Sequence, residues 1–168
     1  MTSSSYVWRP DFEASTAIPH DKNRVAQPKK KRDAMAAYSL QTTAHDYALF
    51  LTALMDGPRK SILAEMERPQ TRVPADCTVE CFDKPAALAP HLAWGLGVGL
   101  ERTAQGPALW HWGDNGAFKA YMVIYPRQRS GLVMFTNSEN GLNIANAVAQ
   151  IALGSEQPAL SWVLNNPS

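Results

Sequence analysis

The chain has 168 residues, a length that suits one domain or a large part of one. Hydrophobic residues make up 45% of it and charged residues 18%, a globular balance that excludes an intrinsically disordered chain. The formal net charge of +1 provides no overall field that would attract nucleic acid or an anionic membrane. No segment approaches the ~18 continuous apolar residues of a membrane span. We therefore expect neither a nucleic-acid partner nor a membrane span.

The first 32 residues show no hydrophobic periodicity and predict an extended loop or irregular arm. Three aromatic side chains are expected to anchor this arm: Tyr6, Trp8 and Phe12. Its basic run, residues 28–32, resembles a nuclear localisation patch, but such a run in a loop is more often a solvated turn. Cys77 and Cys81 are interpreted as separate thiols, since no second Cys/His pair stands at zinc-site spacing. A disulfide between them requires a non-helical backbone. We expect no metal and no cofactor.

Residues 43–55 form the clearest predicted helix. Thr43 can cap it, Asp46 suits its first turn, and a Gly-Pro pair at residues 57 and 58 ends it. Its apolar side chains recur at helical spacing: Tyr47, Phe50, Leu51, Leu54 and Met55. A second, shorter helix is expected over residues 61–68, and residues 70–90 form a variable, proline-rich stretch.

From Trp94 the pattern changes to strands. We predict strands over residues 95–101, 108–112, 118–125 and 131–136. A polar turn at residues 126–130 joins the last two, which are therefore expected to form an antiparallel hairpin.

A last helix is predicted over residues 143–153, with Gly154 as its C-terminal stop. Five of its side chains are expected to share a packing face: Ile144, Ala145, Val148, Ile151 and Ala152. Helices followed by strands and a further helix indicate an α+β fold, an antiparallel sheet with flanking helices on one face. We divide the chain into an irregular arm and helical segment, residues 1–93, and the strands with the C-terminal helix, residues 94–168. Both are parts of one incomplete domain.

Three segments in order resemble the serine hydrolases related to class C β-lactamases, penicillin-binding proteins and their esterase relatives. The first is residues 36–51, a small-residue turn followed by a capped apolar helix, and the second is the helix end at residues 66–70. The third and most specific is residues 111–118, His-Trp-Gly-Asp-Asn-Gly-Ala-Phe. It resembles the Lys/His-x-Gly triplet, the family's third active-site motif. The family often has glycine at the position of Ala117, and Gly116 can take over that role.

The resemblance implies a C-terminal portion only, with a β-lactamase/transpeptidase-like fold lacking its N-terminal strands and helix. The family's nucleophile lies in a Ser-x-x-Lys motif, yet no serine of this chain has lysine three residues later. The family's second motif, Tyr-x-Asn or Tyr-x-Ser, is also absent. We therefore expect a serine hydrolase portion that cleaves ester, amide or D-amino-acid peptide bonds when completed and is inactive on its own. The alternative is a non-catalytic remnant that binds a ligand or partner.

By the same resemblance, His111 stands at the third-motif position, where it steers a substrate carboxylate or assists proton transfer; otherwise it is a locally satisfied strand histidine. The backbone N–H of Asp114 corresponds to one oxyanion donor. Gly113 lets the strand edge approach the substrate, and Asn115 either lines the site or forms a turn with Asp114. We expect Trp110 and Trp112 to point to opposite faces, one into the core and Trp112 towards the substrate. Lys119 is expected at the surface.

The expected partners are a small-molecule or peptide substrate once the site is completed, and a second polypeptide at the sheet edge. The strand from Gly131 to Thr136 is nearly all apolar, as in a strand that is buried on both faces and paired on both sides. In this chain it lacks the neighbour that the family's N-terminal portion provides. We expect a complementing N-terminal chain or self-association to cover it. Family members are often periplasmic or exported, and the sequence leaves the compartment undetermined.

Overall fold

The computed structural model describes residues 1–31, 33–56, 60–72 and 91–164. Four of the sequence-based expectations lie outside these residues: the Gly-Pro helix end at 57 and 58, Cys77, Cys81 and most of the stretch 70–90. The domain division at residue 93 stays a prediction.

A six-stranded antiparallel sheet forms the centre of the molecule, with its strands in chain order. The strands are β1 (Thr71–Arg72), β2 (Leu92–Trp94), β3 (Gly99–Thr103), β4 (Gly106–Asp114), β5 (Lys119–Tyr125) and β6 (Ser130–Thr136). Each strand pairs only with its neighbours in sequence, so every connection within the sheet is a hairpin or a longer antiparallel return. The predicted hairpin is confirmed: Tyr125 pairs with Ser130 and Lys119 with Thr136.

The predicted strand over residues 95–101 is confirmed only from Gly99, where β3 begins, because residues 95–98 form a turn between β2 and β3. Gly97 adopts a φ of 70°, which glycine tolerates and a strand does not use. A Cβ on Gly95 would lie 2.0 Å from the carbonyl oxygen of Met66, so the backbone here runs against the end of a helix. The alternation of glycine with apolar residues thus reflects turn geometry and close approach.

Within the residues described, four helices accompany the sheet: α1 (Ala44–Asp56), α2 (Lys60–Met66), α3 (Ala145–Leu153) and α4 (Pro158–Leu164). Helix α1 begins as predicted, with the Asp46 N–H donating to Thr43 Oγ1 at 3.1 Å. Helix α3 follows a 3-10 turn over Gly141–Ile144 and ends at Gly154, whose φ of 70° makes the expected left-handed stop. Helix α4 was not expected from the sequence.

The helices cover both faces of the sheet rather than the single face expected. On one face, α1 and α2 bury an apolar cluster that includes Leu51, Leu63 and Leu109. On the other, α3 and α4 bury a larger cluster that includes Ala149 and Leu160. The two clusters arise because successive side chains of a strand alternate between the faces of a sheet.

The packing face of α3 also differs from the prediction. Ala145 and Ala149 are buried, whereas Ile144 is 54% and Ile151 87% exposed. Small side chains face the sheet here and let the helix approach it. Val148 is partly buried and packs against the core as predicted, whereas the two isoleucines lie on the exposed flank. This apolar flank is therefore left open.

The arm, residues 1–31, is irregular as predicted and is held by a few specific contacts. Ser3 N and Ser4 Oγ both donate to Asp46 Oδ2 at 2.8 Å, so the side chain in the first turn of α1 fixes the start of the chain. The backbone of Ser5 pairs with Gln41. Of the expected anchors, Trp8 lies under the ammonium group of Lys31, while Tyr6 is 47% exposed.

Strand β6 forms one edge of the sheet, and in the described part of the chain it pairs only with β5. Met134 alone among its residues is buried, since one side of the strand has no neighbour. Just beyond its end, the arm makes a parallel bridge: His20 N donates to the Asn137 carbonyl oxygen at 2.9 Å. The arm therefore covers the continuation of this edge, and within the described residues no other segment pairs with β6 itself.

Candidate active site

The third-motif segment lies at the end of β4, beyond the last pairing of that strand with β3. Trp110 is the last β4 residue paired with β3, through Gly99, so residues 111–114 continue past the end of β3. On the other side they pair with β5, from His111 opposite Met122 to Asp114 opposite Lys119. This stretch of β4 is therefore held by one neighbour and open on its other side.

A groove of about 1160 Å³ runs along this open stretch. It lies between the arm, the segment that precedes α1, and the ends of the central strands. The third-motif residues His111, Trp112, Gly113, Asp114 and Asn115 all line it. The structure thus brings together every residue that the sequence proposed for the site.

His111 lies exposed at the rim of the groove. Its Nδ1 is 2.7 Å from the carbonyl oxygen of Trp112, and its ring stacks on the Trp112 ring at a centroid distance of 5.6 Å. A carbonyl oxygen only accepts hydrogen bonds, so Nδ1 is the donor in this contact and Nε2 is the ring nitrogen that the contact leaves unused. The backbone contact thereby sets the direction of the ring.

A second, apolar cavity of about 250 Å³ lies beside His111, beneath α1. Aliphatic and aromatic side chains form its walls, among them Leu54, Leu109 and Met122. His111 stands between this cavity and the polar groove. The imidazole therefore borders both an apolar surface and a polar one, as expected of a group that contacts a substrate with both kinds of surface.

The backbone N–H of Asp114 is directed away from β5. Asn115 N donates to the Phe118 carbonyl oxygen at 3.0 Å, so residues 115 and 118 form a hydrogen-bonded pair at the end of the β4–β5 hairpin. Because hydrogen-bonded and non-hydrogen-bonded pairs alternate in an antiparallel ladder, the next pair, Asp114 and Lys119, is non-hydrogen-bonded. The N–H of Asp114 thus faces the side of β4 where β3 has ended.

Gly113 has no side chain, although its neighbours in the sheet leave enough space for one. A Cβ at this position would lie 3.5 Å from the Ala120 Cβ, an ordinary contact. The turn that follows contains Gly116, which has a φ of 67°. Gly116 thus takes over the role of the glycine that the family often has at the position of Ala117. Asn115 Nδ2 donates to the Tyr38 carbonyl oxygen at 3.2 Å and ties the hairpin end to the segment before α1.

The expectation that Lys119 lies at the surface is wrong. Its side chain is only 10% exposed, and its Nζ lies 2.5 Å from Asp114 Oδ1. The same carboxylate oxygen accepts the Gly116 N–H at 3.1 Å. Asp114 and Lys119 stand opposite each other across a two-residue turn, a spacing that places opposite charges in contact on a hairpin. This spacing could have identified the pair from the sequence.

The expected placement of Trp110 and Trp112 on opposite faces is also wrong. Residues two apart in a strand share a face, and the two indoles stack with centroids 5.6 Å apart. They belong to a cluster with Trp94 and Trp162, in which Trp112 packs against Trp162 at 5.6 Å. Trp110 is buried in this cluster, while Trp112 is partly buried and reaches the groove.

Three serines line the groove: Ser3, Ser15 and Ser39. The hydroxyl of Ser39 donates to backbone carbonyl oxygens of Tyr6 and Met35, and that of Ser15 to Phe12. Among the described residues, no serine hydroxyl is hydrogen-bonded to a lysine or a histidine. A search of the same residues finds no group of side chains that could hold a metal ion. The described groove is thus lined by His111, by the Asp114 peptide and by the Asp114–Lys119 ion pair, and none of its described serines is bonded to a lysine or a histidine.

The Beta-lactamase family profile matches residues 3–154. The chain belongs to this family. Among solved structures, it is similar to an octameric penicillin-binding protein homologue from Pyrococcus abyssi, with a TM-score of 0.66 and 20% identity over 94% of this chain and 35% of that one. It is also similar to a Beta-Lactamase/D-Alanine Carboxypeptidase from Pseudomonas syringae, with a TM-score of 0.67 and 12% identity over 90% of this chain and 48% of that one. No curated protein matches it by sequence.

The β-lactamase-family chain therefore spans about one third to one half of the length of these structural neighbours. At these identities the likeness concerns the fold, and it confirms the expected α+β sheet with flanking helices. No helix of the described residues is long and apolar enough to cross a membrane.

Proposed function

We propose that this chain supplies one wall of a β-lactamase-like serine hydrolase site, the wall that contains the third-motif residues 111–118. The completed site cleaves ester, amide or D-amino-acid peptide bonds through an acyl-enzyme. The observation that supports this most directly is His111, which is exposed at the groove rim and held there by the contact of its Nδ1 with the Trp112 carbonyl oxygen. Without the Ser-x-x-Lys and Tyr-x-Asn/Ser motifs, the chain has no nucleophile of the family type and is inactive on its own.

Each groove residue has a distinct role in this proposal. His111 steers a substrate carboxylate or moves a proton at Nε2, and the Asp114 N–H stabilises the oxyanion of the tetrahedral intermediate. Gly113 keeps the wall free of side-chain atoms, while Trp112 and Asn115 contact the substrate. The Lys119–Asp114 ion pair holds the hairpin end, and with it the Asp114 peptide, in place.

His111→Ala tests the proposal in an enzyme completed by a Ser-x-x-Lys-bearing N-terminal portion. We expect turnover to fall by roughly 100-fold or more, since a positioned acid or base contributes at least that much. The melting temperature of the isolated chain should stay unchanged, because the side chain is exposed. His45→Ala, an exposed histidine of α1 outside the groove, is the matched control.

A large melting shift with unchanged turnover would identify His111 as a structural histidine. That result would favour the second candidate function, a non-catalytic remnant that binds a ligand or partner. The observation in favour of this candidate is the absence of both upstream motifs from the sequence.

We further propose that the open edge of β6 pairs with another polypeptide strand, either a complementing N-terminal chain or a second copy. The strand carries no charged residue to prevent such pairing. The exposed flank of α3, with Ile144 and Ile151, adds apolar surface. One of the structural neighbours is itself described as octameric.

Sedimentation of the isolated chain should therefore show concentration-dependent association. Val133→Lys, which places a charge in the middle of the edge strand, should shift the chain to monomer. Val25→Lys, at an exposed position of the arm, should not. A compact monomer at every concentration, with strong hydrogen-exchange protection of residues 132–135, would contradict the proposal.

A further inference from the structure

A carboxyl group is buried beneath α4, on the face of the sheet that carries the tryptophan cluster. Glu101, in the middle of β3, is 2% exposed. One of its oxygens accepts the Ala159 N–H of α4 at 2.9 Å. Its other oxygen and the hydroxyl of the buried Tyr121 have no hydrogen-bond partner within the described residues. Two buried polar atoms at the contact between α4 and the sheet therefore lack a hydrogen-bond partner within the described residues.

The segment that leads into α4 is held by a buried polar network. Gln157, which is completely buried, accepts the Tyr125 hydroxyl at 2.9 Å and donates to Ser155 at 3.1 Å. The Tyr125 hydroxyl also lies 3.1 Å from Thr103 Oγ1. Glu101 lies beside this network and is the buried group there whose pKa is raised to about 7.

No ion pair of the described residues includes Glu101. Burial raises its pKa to about 7, against the opposing effects of the Ala159 N–H and the Tyr121 hydroxyl. The titratable group that interacts with it is Tyr121 on β5, which in turn interacts with Tyr125. Its partners across β2 and β4 are Leu92 and Ala108, neither of which carries a charge. The nearby charged side chains of Arg102 and Glu156 are exposed.

We propose that Glu101 is a proton-binding site that controls the docking of α4: the carboxyl is protonated while α4 is docked, and its ionisation loosens the helix. A neutral carboxyl accepts the Ala159 N–H through one oxygen and can donate its own proton to the Tyr121 hydroxyl, which satisfies both open groups. An ionised carboxylate at the same place is a buried charge that has the Ala159 N–H as a donor but no cation paired with it among the described residues, a state that burial disfavours.

The direction of the pH effect follows from this. A carboxyl whose folded-state pKa lies above its ordinary value stabilises the docked state fully below pH ~4.5, and this contribution is lost as pH rises through about 7. The effect extends to the groove, because Trp162 of α4 packs at 5.6 Å against Trp112. This inference does not depend on the proposed hydrolase role, since it concerns the contact between α4 and the sheet.

Amide hydrogen exchange measured as a function of pH tests the proposal. Protection factors of residues 160–163 should fall at least tenfold between pH 5.5 and 8.5 in the unmodified chain, while those of β5 change less. Glu101→Gln, which keeps an acceptor for Ala159 and cannot ionise, should remove this fall. Glu156→Gln, an exposed neighbour, should leave it unchanged. An equal fall in the Glu101→Gln chain would overturn the proposal.

A measurement on the unmodified chain keeps the proposal testable if the Glu101→Gln chain does not fold. The carbon chemical shift of the Glu101 carboxyl group should titrate with a midpoint near 7, well above the range of the exposed glutamates. A midpoint below 5 would show that the docked helix tolerates the ionised carboxylate, and would contradict the proposal.

Discussion

Trp110→Ala is expected to lower the free energy of unfolding by about 3–5 kcal/mol, the range for deletion of a large buried aromatic side chain. Trp110 is 1% exposed and packs against three other indoles, with centroid distances of 5.3 Å to Trp94, 5.6 Å to Trp112 and 5.8 Å to Trp162. Its substitution would leave a cavity between β2, β4 and α4, whose walls are aromatic rings that cannot collapse into it.

The neighbouring backbone is built around this side chain. A Cβ on Gly99 would lie 2.3–2.7 Å from indole atoms of Trp110, so glycine makes room for the ring. The indole N–H has no hydrogen-bond partner in the described part of the chain, and alanine therefore loses packing without losing a hydrogen bond.

Urea denaturation of three variants measures this effect. Trp110→Phe, which keeps an aromatic ring, and Trp112→Ala, at the partly exposed end of the cluster, should each cost clearly less than Trp110→Ala. A loss below ~1 kcal/mol for Trp110→Ala would mean that the tryptophan cluster does not stabilise the fold.

The sequence predicts those elements whose pattern is set locally. Helix α1 has a capping threonine and a regular apolar stripe, and the β5–β6 hairpin consists of two apolar runs separated by a polar turn. These elements depend on residues close together in the chain. The expected open edge of β6 rests instead on the family resemblance, which assigns the strand's other neighbour to the N-terminal portion; in the described residues β6 pairs only with β5.

Features set by long-range packing were not predictable in the same way. Helix α4 has only seven residues, too few for a period to distinguish a buried helix from a strand. The choice of Ala145 and Ala149 over Ile151 as the packing face of α3 depends on how closely the sheet lies below it. In the sequence, Glu101 looks like an ordinary strand residue. It is buried because α4 packs against the sheet at this point, a contact that the local sequence pattern does not indicate.

The candidate site contains both features that a local sequence pattern predicts and features that depend on long-range packing. His111 and Gly113 were identified by the spacing of one motif, and the structure places them on a groove. The Asp114–Lys119 ion pair follows from hairpin register and could have been predicted once the turn at residues 116 and 117 was recognised. The contribution of the arm to the groove could not, because a segment without periodicity gives no indication of where it packs.

The isolated chain is expected to form no acyl-enzyme, the largest functional effect that follows from the proposed function. A serine becomes a nucleophile when a neighbouring base takes its proton, and in this family that base is a lysine one helical turn later. No serine of the sequence has such a lysine. On the groove, the hydroxyls of Ser15 and Ser39 are already engaged with backbone oxygens.

Intact mass spectrometry after incubation with a fluorophosphonate or a penicillin tests this most directly. A Ser-x-x-Lys-bearing serine β-lactamase, treated in parallel, should be labelled and shows that the probes are active. We predict that this 168-residue chain keeps its unmodified mass under the same conditions. Stoichiometric addition of either probe to one of its serines would contradict the account, because the chain would then contain an activated nucleophile of its own.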